Sequence, residues 1–264
     1  MIWGQKILTG NLQDAIQTLL NENIISPAIA DRKISNFIFK KSTDSKITAL
    51  TVDAQYTGDN LYTVINKLCD ANNIGFKVTL NESNQFVFEL YVGADRSYSQ
   101  SLNSYVIFSP KFDNIITSSY LESKKTMKNV TLVAGEGEGA ARKTTTVGTA
   151  TGLDRRELFT DARDISSSLE NDKKLTDAEY TAQLVQRGKE DLAKNVEIKA
   201  FEGEVDATHM FVYGKDFFIG DIVQIANEYG HEGTSYISEL VISQNKEGIK
   251  IYPTFKSTVK EDTT

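Results

Sequence analysis

From Val196 to Phe255 the sequence carries short strand-like runs and turn signals, with no helical spacing of apolar residues. Ile198, Ala200 and Glu202 take alternate positions. Ile219-Gly220-Asp221-Ile222-Val223-Gln224-Ile225 follows, then residues 235–242 and 249–255. Turn signals fall at Tyr229-Gly230-His231, Glu232-Gly233 and Glu247-Gly248. A two-residue period sends successive side chains to opposite faces of a sheet. Several such strands with nothing helical between them predict a small β-barrel or sandwich. The rest of the chain must then supply the helices.

Two early segments do so in the same way. Asn11 is the N-cap for a stripe of Leu12, Ala15, Ile16, Leu19 and Leu20, which should stop near Asn23, before Pro27. Thr57-Gly58-Asp59-Asn60 precedes Leu61, Val64, Ile65, Leu68 and Cys69, and Asn72-Asn73 ends that helix. The echo fits either a duplicated helix or two similarly capped core helices. Residues 75–80 and 86–92 alternate around a hairpin loop at Asn81–Asn84. Residues 1–95 therefore read as two helices beside a short antiparallel sheet.

In the middle, residues 106–108, 115–120 and 130–134 are strand-like. Gly135-Glu136-Gly137-Glu138-Gly139 reads as a hairpin tip, with the Thr- and Val-rich residues 143–150 returning antiparallel. Thr176 with Glu179 forms a capping box that opens the longest helix, residues 176–195. Ala178, Ala182, Val185 and Leu192 line one side of it, and Gly188 interrupts it. The expected fold is α+β: a small antiparallel sheet with two helices, then strand-rich domains including a C-terminal small β-barrel. The expected division is 1–95, an α+β domain; 96–195, a hairpin region with a charged linker and the long helix; 196–258, the barrel-like domain; and 259–264, a flexible tail.

Composition narrows the function. At 264 residues and 40% hydrophobic, the chain can bury a sizeable core. A net charge of −7 argues against a nucleic-acid binder and against docking on an anionic membrane. No apolar run approaches the roughly 20 residues that span a bilayer, and the N-terminus has no signal-peptide core, so synthesis in the cytoplasm is expected. Cys69 is the only cysteine, which excludes an internal disulfide and a cysteine-based zinc site. His209 and His231 are too few for a histidine metal centre, and no cofactor is expected.

The candidate chemistry is thin. The glycine-rich loop at 135–139 carries two glutamates that would repel a phosphate, and no Gly-Lys-Ser/Thr follows it, so a structural turn is the better reading. Residues 152–164 are dense in both charges. Glu157 and Asp161 there make an imaginable carboxylate pair, but interleaved arginine and acid more often builds contacts at a junction. Arg142, Arg155, Arg156, Glu157, Asp161 and Arg163 are the candidate assembly contacts. Asp95-Arg96 reads as an ion pair or turn cap, and His209 as a barrel-edge residue. No Gly-x-Ser-x-Gly elbow appears. Two competing readings remain: a cell-wall hydrolase using Glu136, Glu138, Glu157 or Asp161, and a carbohydrate-binding receptor module using Tyr229 or Tyr236.

A series of motifs carries a resemblance. Thr9-Gly10-Asn11, the stretch 23–27 and Asp31-Arg32-Lys33-Ile34 come first. Gly93-Ala94-Asp95-Arg96, residues 106–114, Ser119-Tyr120 and Lys128-Asn129-Val130 follow. Then come Gly135-Glu136-Gly137, Gly152-Leu153-Asp154-Arg155-Arg156-Glu157 and Phe218-Ile219-Gly220-Asp221-Ile222-Val223. In this order they resemble a siphophage and prophage tail-protein family of tail hub, or baseplate hub-like, proteins, over about residues 9–255. The resemblance implies a non-enzymatic homotrimer at the virion tail tip, its small β-barrel domains forming a ring. It also implies contacts with the distal tail protein, the end of the tape-measure protein, and receptor-binding or tail-fibre proteins. No fused peptidase or glycan-degrading domain is expected. The Thr-rich hairpin after Arg142 is expected to act as an interface arm.

Overall fold

A computed structural model describes residues 4–169, 173–205, 210–227, 232–246 and 248–257. Contacts divide the chain into two units, one of Met1–Tyr91 with Lys128–Asn195, the other of Val92–Met127 with Val196–Thr264. The middle third is therefore shared between the units instead of standing as a segment of its own.

The first unit opens with β1 (Gln5–Asn11), which ends on the cap of α1 (Leu12–Leu20). The Asn11 side chain accepts hydrogen bonds from the Gln13 and Asp14 amides at 3.0 and 3.4 Å. A π-helical turn extends this helix to Ile25. After β2 (Phe37–Lys40) and the short α2 (Ser45–Thr48), β3 (Thr51–Thr57) pairs antiparallel with β1. Asn60 caps α3 (Leu61–Asp70) as Asn11 caps α1. The two helices bury Leu12, Ile16, Leu19, Leu20, Val64 and Leu68. β4 (Gly75–Leu80) and β5 (Phe86–Tyr91) form the expected hairpin, but β2 joins β5 in parallel. Residues 5–91 thus hold two small sheets, one of them mixed, where a single antiparallel sheet was expected. A parallel partner comes from far along the chain and leaves no local turn signal.

The chain then crosses to the second unit for β6 (Ile107–Phe108) and β7 (Ile115–Ser123). It returns for β8 (Val130–Ala134), β9 (Thr144–Val147) and β10 (Glu157–Asp161), a three-stranded sheet with β8 in the centre. β8 and β9 are the expected hairpin; β10 runs parallel to β8. The capping box at Thr176 and Glu179 is present at the start of α4 (Asp177–Ala193). Its buried face is not the expected one. Tyr180, Gln183, Leu184 and Gly188 are buried, whereas Ala178 is exposed and Ala182, Val185 and Leu192 are half-buried. Gly188 is the reason. A Cβ there would lie 2.7 Å from Val147 Cγ2 and 2.9 Å from Val133 Cγ2, so the helix closes directly on the β8–β9 hairpin. Val133, Ala162, Ile165, Tyr180 and Leu184 fill the space between.

The second unit completes with β11 (Ile198–Val205), β12 (Ile222–Ala226), β13 (Glu232–Asn245) and β14 (Gly248–Ser257). Its strands form one row, β6-β12-β13-β14-β11-β7. Glu232-Gly233 lies inside β13, not at a turn; Tyr229, Gly230, His231, Glu247 and His209 lie outside the described residues. The two end strands, β6 and β7, are neighbours in sequence, and the Phe108 ring of β6 lies 5.3 Å from that of Phe255 on β14. The row therefore curls around Val106, Phe108, Phe217, Val223, Ile225, Ile237 and Phe255. Among the described residues no strand pair closes the row into a barrel.

Two of the sequence motifs meet in this unit. Asp221 is buried, and its carboxylate accepts from the Ala94 amide at 2.7 Å, the Phe218 amide at 3.0 Å and Arg96 Nε at 2.8 Å. Gly93 has no room for a side chain, since a Cβ would fall 1.7 Å from the Gly220 carbonyl oxygen. Asp95 caps the next turn through Ser97, so Arg96 pairs with Asp221 and not with its neighbour.

Candidate functional site

The candidate contacts lie on and around the β10-β8-β9 sheet. One face of that sheet covers α4: Thr131 and Thr160 share a buried hydrogen bond of 2.9 Å, and Val133 and Val147 touch Gly188. Strand alternation sends Leu132, Glu157, Phe159 and Asp161 to the opposite face. Phe159 and Leu132 are register partners, 58% and 43% exposed. The structure thus leaves a pair of large apolar side chains uncovered on a sheet whose other face packs on α4.

Charge frames that pair. Arg142 donates to the Ala134 and Gly135 carbonyls at 2.8 and 2.9 Å and to Asp161 at 2.5 Å. Its guanidinium lies 5.6 Å from the Phe159 ring centroid, a cation–π contact. Arg163 forks onto the same carboxylate at 2.6 and 3.0 Å. The Arg163 fork, with Arg142 behind it, holds the Asp161 pKa down at about 2. At the other end of β10, Arg155 pairs with Glu157 at 2.6 Å. Arg156 acts here through its backbone: its amide donates to Asn129 and its carbonyl accepts from Asn129 and Val130. Arg142, Asp161 and Arg163 therefore come together, Arg155 and Glu157 form a second pair, and the Arg156 side chain is exposed.

The same geometry bears on the carboxylates considered for hydrolysis. Glu157 and Asp161 lie four residues apart on a strand, not a helix, and so about 13 Å apart, beyond the separations of paired glycosidase carboxylates. Asp161 is locked between two arginines. Glu136 accepts from the Ser167 amide and hydroxyl at 2.8 and 2.6 Å. Burial pushes its pKa up, but the bonds from Ser167 and Ser166 outweigh burial and hold it below the ordinary value. Glu138 is exposed on the tip of the hairpin. Tyr236, considered for sugar stacking, is half-buried in β13, and Tyr229 lies outside the described residues.

Sequence reasoning missed a buried polar seam between β3 and α4. Gln55 donates to the Ser166 carbonyl at 3.1 Å, and its carbonyl accepts from the Ser166 amide at 2.8 Å. Tyr56 donates to Glu190, which also accepts from Gln186 at 3.1 Å. The second carboxylate oxygen of Glu190 is buried without a partner. Burial raises the Glu190 pKa against the bonds from Tyr56 and Gln186 and the charges of Arg187 and Lys67. A carboxyl raised in the folded state stabilises the fold fully below its unfolded pKa, about 4.3, and loses that contribution as pH rises through the folded value. Glu190→Gln is therefore expected to melt above the parent at pH 8, with the gap closing or reversing at pH 4. A gap independent of pH would refute a buried, titrating Glu190.

No curated protein matches this chain. The 43 kDa tail protein of prophage MuSo2 from Shewanella oneidensis has the same fold at 12% identity and a TM-score of 0.55, over 96% of this chain and 67% of that one. A tail protein from Neisseria meningitidis MC58 is similar at 13% identity and a TM-score of 0.51, over 96% of this chain and 68% of that one. The model of the Siphovirus ReqiPepy6 Gp37-like proteins matches residues 2–255. The chain belongs to that siphophage tail-protein family.

Proposed function

We propose that the chain is a structural, non-enzymatic subunit of a tail tip, one of the copies that join into a hub ring. In this reading it is made in the bacterial host cytoplasm and is incorporated as a homotrimer at the end of the tail tube. Its neighbours there are the distal tail protein, the end of the tape-measure protein, and receptor-binding or fibre proteins. The observation that carries the reading is the uncovered Leu132–Phe159 pair, framed by Arg142, Asp161 and Arg163 on the β10-β8-β9 sheet. An apolar centre with a charged border is how protein contacts are built. The curled row of six strands in the second unit supports a barrel-like domain in such a ring. Asp161 and Glu136 are held ionised by fixed partners, which favours a structural role over acid catalysis.

Mass measurement across a concentration series tests this. The parent chain is expected to associate, and Phe159→Asp to associate roughly tenfold or more weakly, the usual effect at a central aromatic contact, with its melting point lowered by only about 2 to 4 °C for the lost Arg142 contact. A parent chain that stays monomeric at every concentration sinks the self-assembly reading. Unchanged association of Phe159→Asp sinks this face as the contact. Clearing of bacterial cell walls by the purified chain would favour the hydrolase instead.

A further inference from the structure

We propose that the loop Ser97–Tyr105 of one copy seats on the Leu132–Phe159 face of the next. This rests on the self-assembly reading above and names the two surfaces that meet. The loop lies within residues 97–110, the longest uncharged run in the chain, bounded by Arg96 and Lys111. It presents Leu102 at 94% exposure, with Tyr98 and Tyr105 at 52% and 44%. Depletion of charge with enrichment of tyrosine marks the buried centre of protein contacts.

The loop is also held rigid. Its base is closed by the bond from the Val106 amide to the Arg96 carbonyl, 2.9 Å, beside the Asp221 clamp. The Gln100 side chain accepts from the Leu102 and Asn103 amides at 2.7 and 2.6 Å, and donates to the Ser97 and Asn103 carbonyls at 3.1 Å each. Asn103 reaches back to the Asp95 carbonyl at 2.9 Å. A loop fixed in this way loses little conformational entropy on docking.

A protein surface fits this loop better than a glycan does. The two tyrosine rings meet edge to face, at 72°, so they do not form one flat stacking platform. The amides of Gln100 and Asn103, which would read sugar hydroxyls, are spent inside the loop. Charge then selects a second copy. Chains of net charge −7 repel one another, so copies meet with least penalty where charge is absent or already neutralised. The loop is uncharged. On the receiving face Asp161 is matched by Arg142 and Arg163, and Glu157 by Arg155. A ring built head to tail needs two different surfaces on each copy, and these are such a pair.

The test is association of the full chain, followed by sedimentation. Leu102→Asp and Leu132→Lys are each expected to weaken association roughly tenfold or more, with the fold retained, since Leu102 is 94% exposed and Leu132 43%. Combining them places opposite charges across the contact and is expected to recover most of the association. Leu102→Asp associating like the parent overturns the inference, and so does a double variant no better than its singles. In either case a parent chain that still associates leaves the self-assembly reading standing. A parent chain that never associates removes both.

Discussion

Asp221→Ala is expected to destabilise the second unit by about 3 to 5 kcal/mol, the usual loss when one partner of a buried ion pair is removed. The residue does three things at once. It pairs with Arg96, and it accepts the amides of Ala94 and Phe218. Alanine leaves a half-buried guanidinium unpaired and strands both amides, each worth about 1 to 3 kcal/mol when unsatisfied. In a chain of this size each kcal/mol moves the melting midpoint by roughly 2 to 4 °C. The variant should therefore melt about 10 °C low. Amide exchange at Ile222–Ala226, the strand that follows the clamp, should accelerate most. Asp221→Asn keeps one acceptor oxygen and should lose less. Equal melting of parent and Asp221→Ala would mean that the clamp contributes nothing.

The second large effect is expected at Gly188. In an open helix, replacing glycine by alanine stabilises by about 1 kcal/mol. Here the added Cβ would meet γ-methyls of Val147, Val133 and Thr131 at 2.7, 2.9 and 3.2 Å. All three belong to β-branched side chains, which have little rotameric freedom to retreat. Overpacking costs about 1 to 3 kcal/mol, so the clash outweighs the propensity gain and Gly188→Ala is destabilising. Gly188→Leu should lose about 3 kcal/mol or more and lift α4 from the β8–β9 hairpin. Val147→Ala should soften the effect of Gly188→Ala, which a double-variant cycle in urea measures. A stabilising Gly188→Ala would show that α4 has slack at this point.

These two residues also mark the limits of what the sequence discloses. Local signals were legible: both asparagine caps, the capping box at Thr176, and the hairpins 75–91 and 130–147 all have a turn or cap within a few residues. Pairing across long separations was not. β10 looks like a charged linker because its outward residues are Glu157, Phe159 and Asp161, and its partner β8 lies more than twenty residues earlier in parallel register. The buried face of α4 differs from the apolar stripe through Ala178 and Val185, because Gly188 decides which side the sheet can approach. Of the candidate contacts, the mixed charges at 152–164 are visible in the sequence as a cluster, and Arg142 stands apart from it. That Arg142 and Arg163 share one carboxylate, and that Phe159 stands uncovered beside them, depends on strand order.

The path of the chain has a consequence of its own. It enters the second unit at Val92, leaves it after Met127, and re-enters at Val196. β7 finds its partner β11 only after about seventy-five residues have been laid down elsewhere. On the ribosome, the first unit can finish once α4 has emerged, while residues 92–127 must wait as an open excursion. Neither unit is a contiguous cassette. Recombination between related genes that cuts between residues 92 and 195 would split both units at once, so exchange should be tolerated mainly when both units move together.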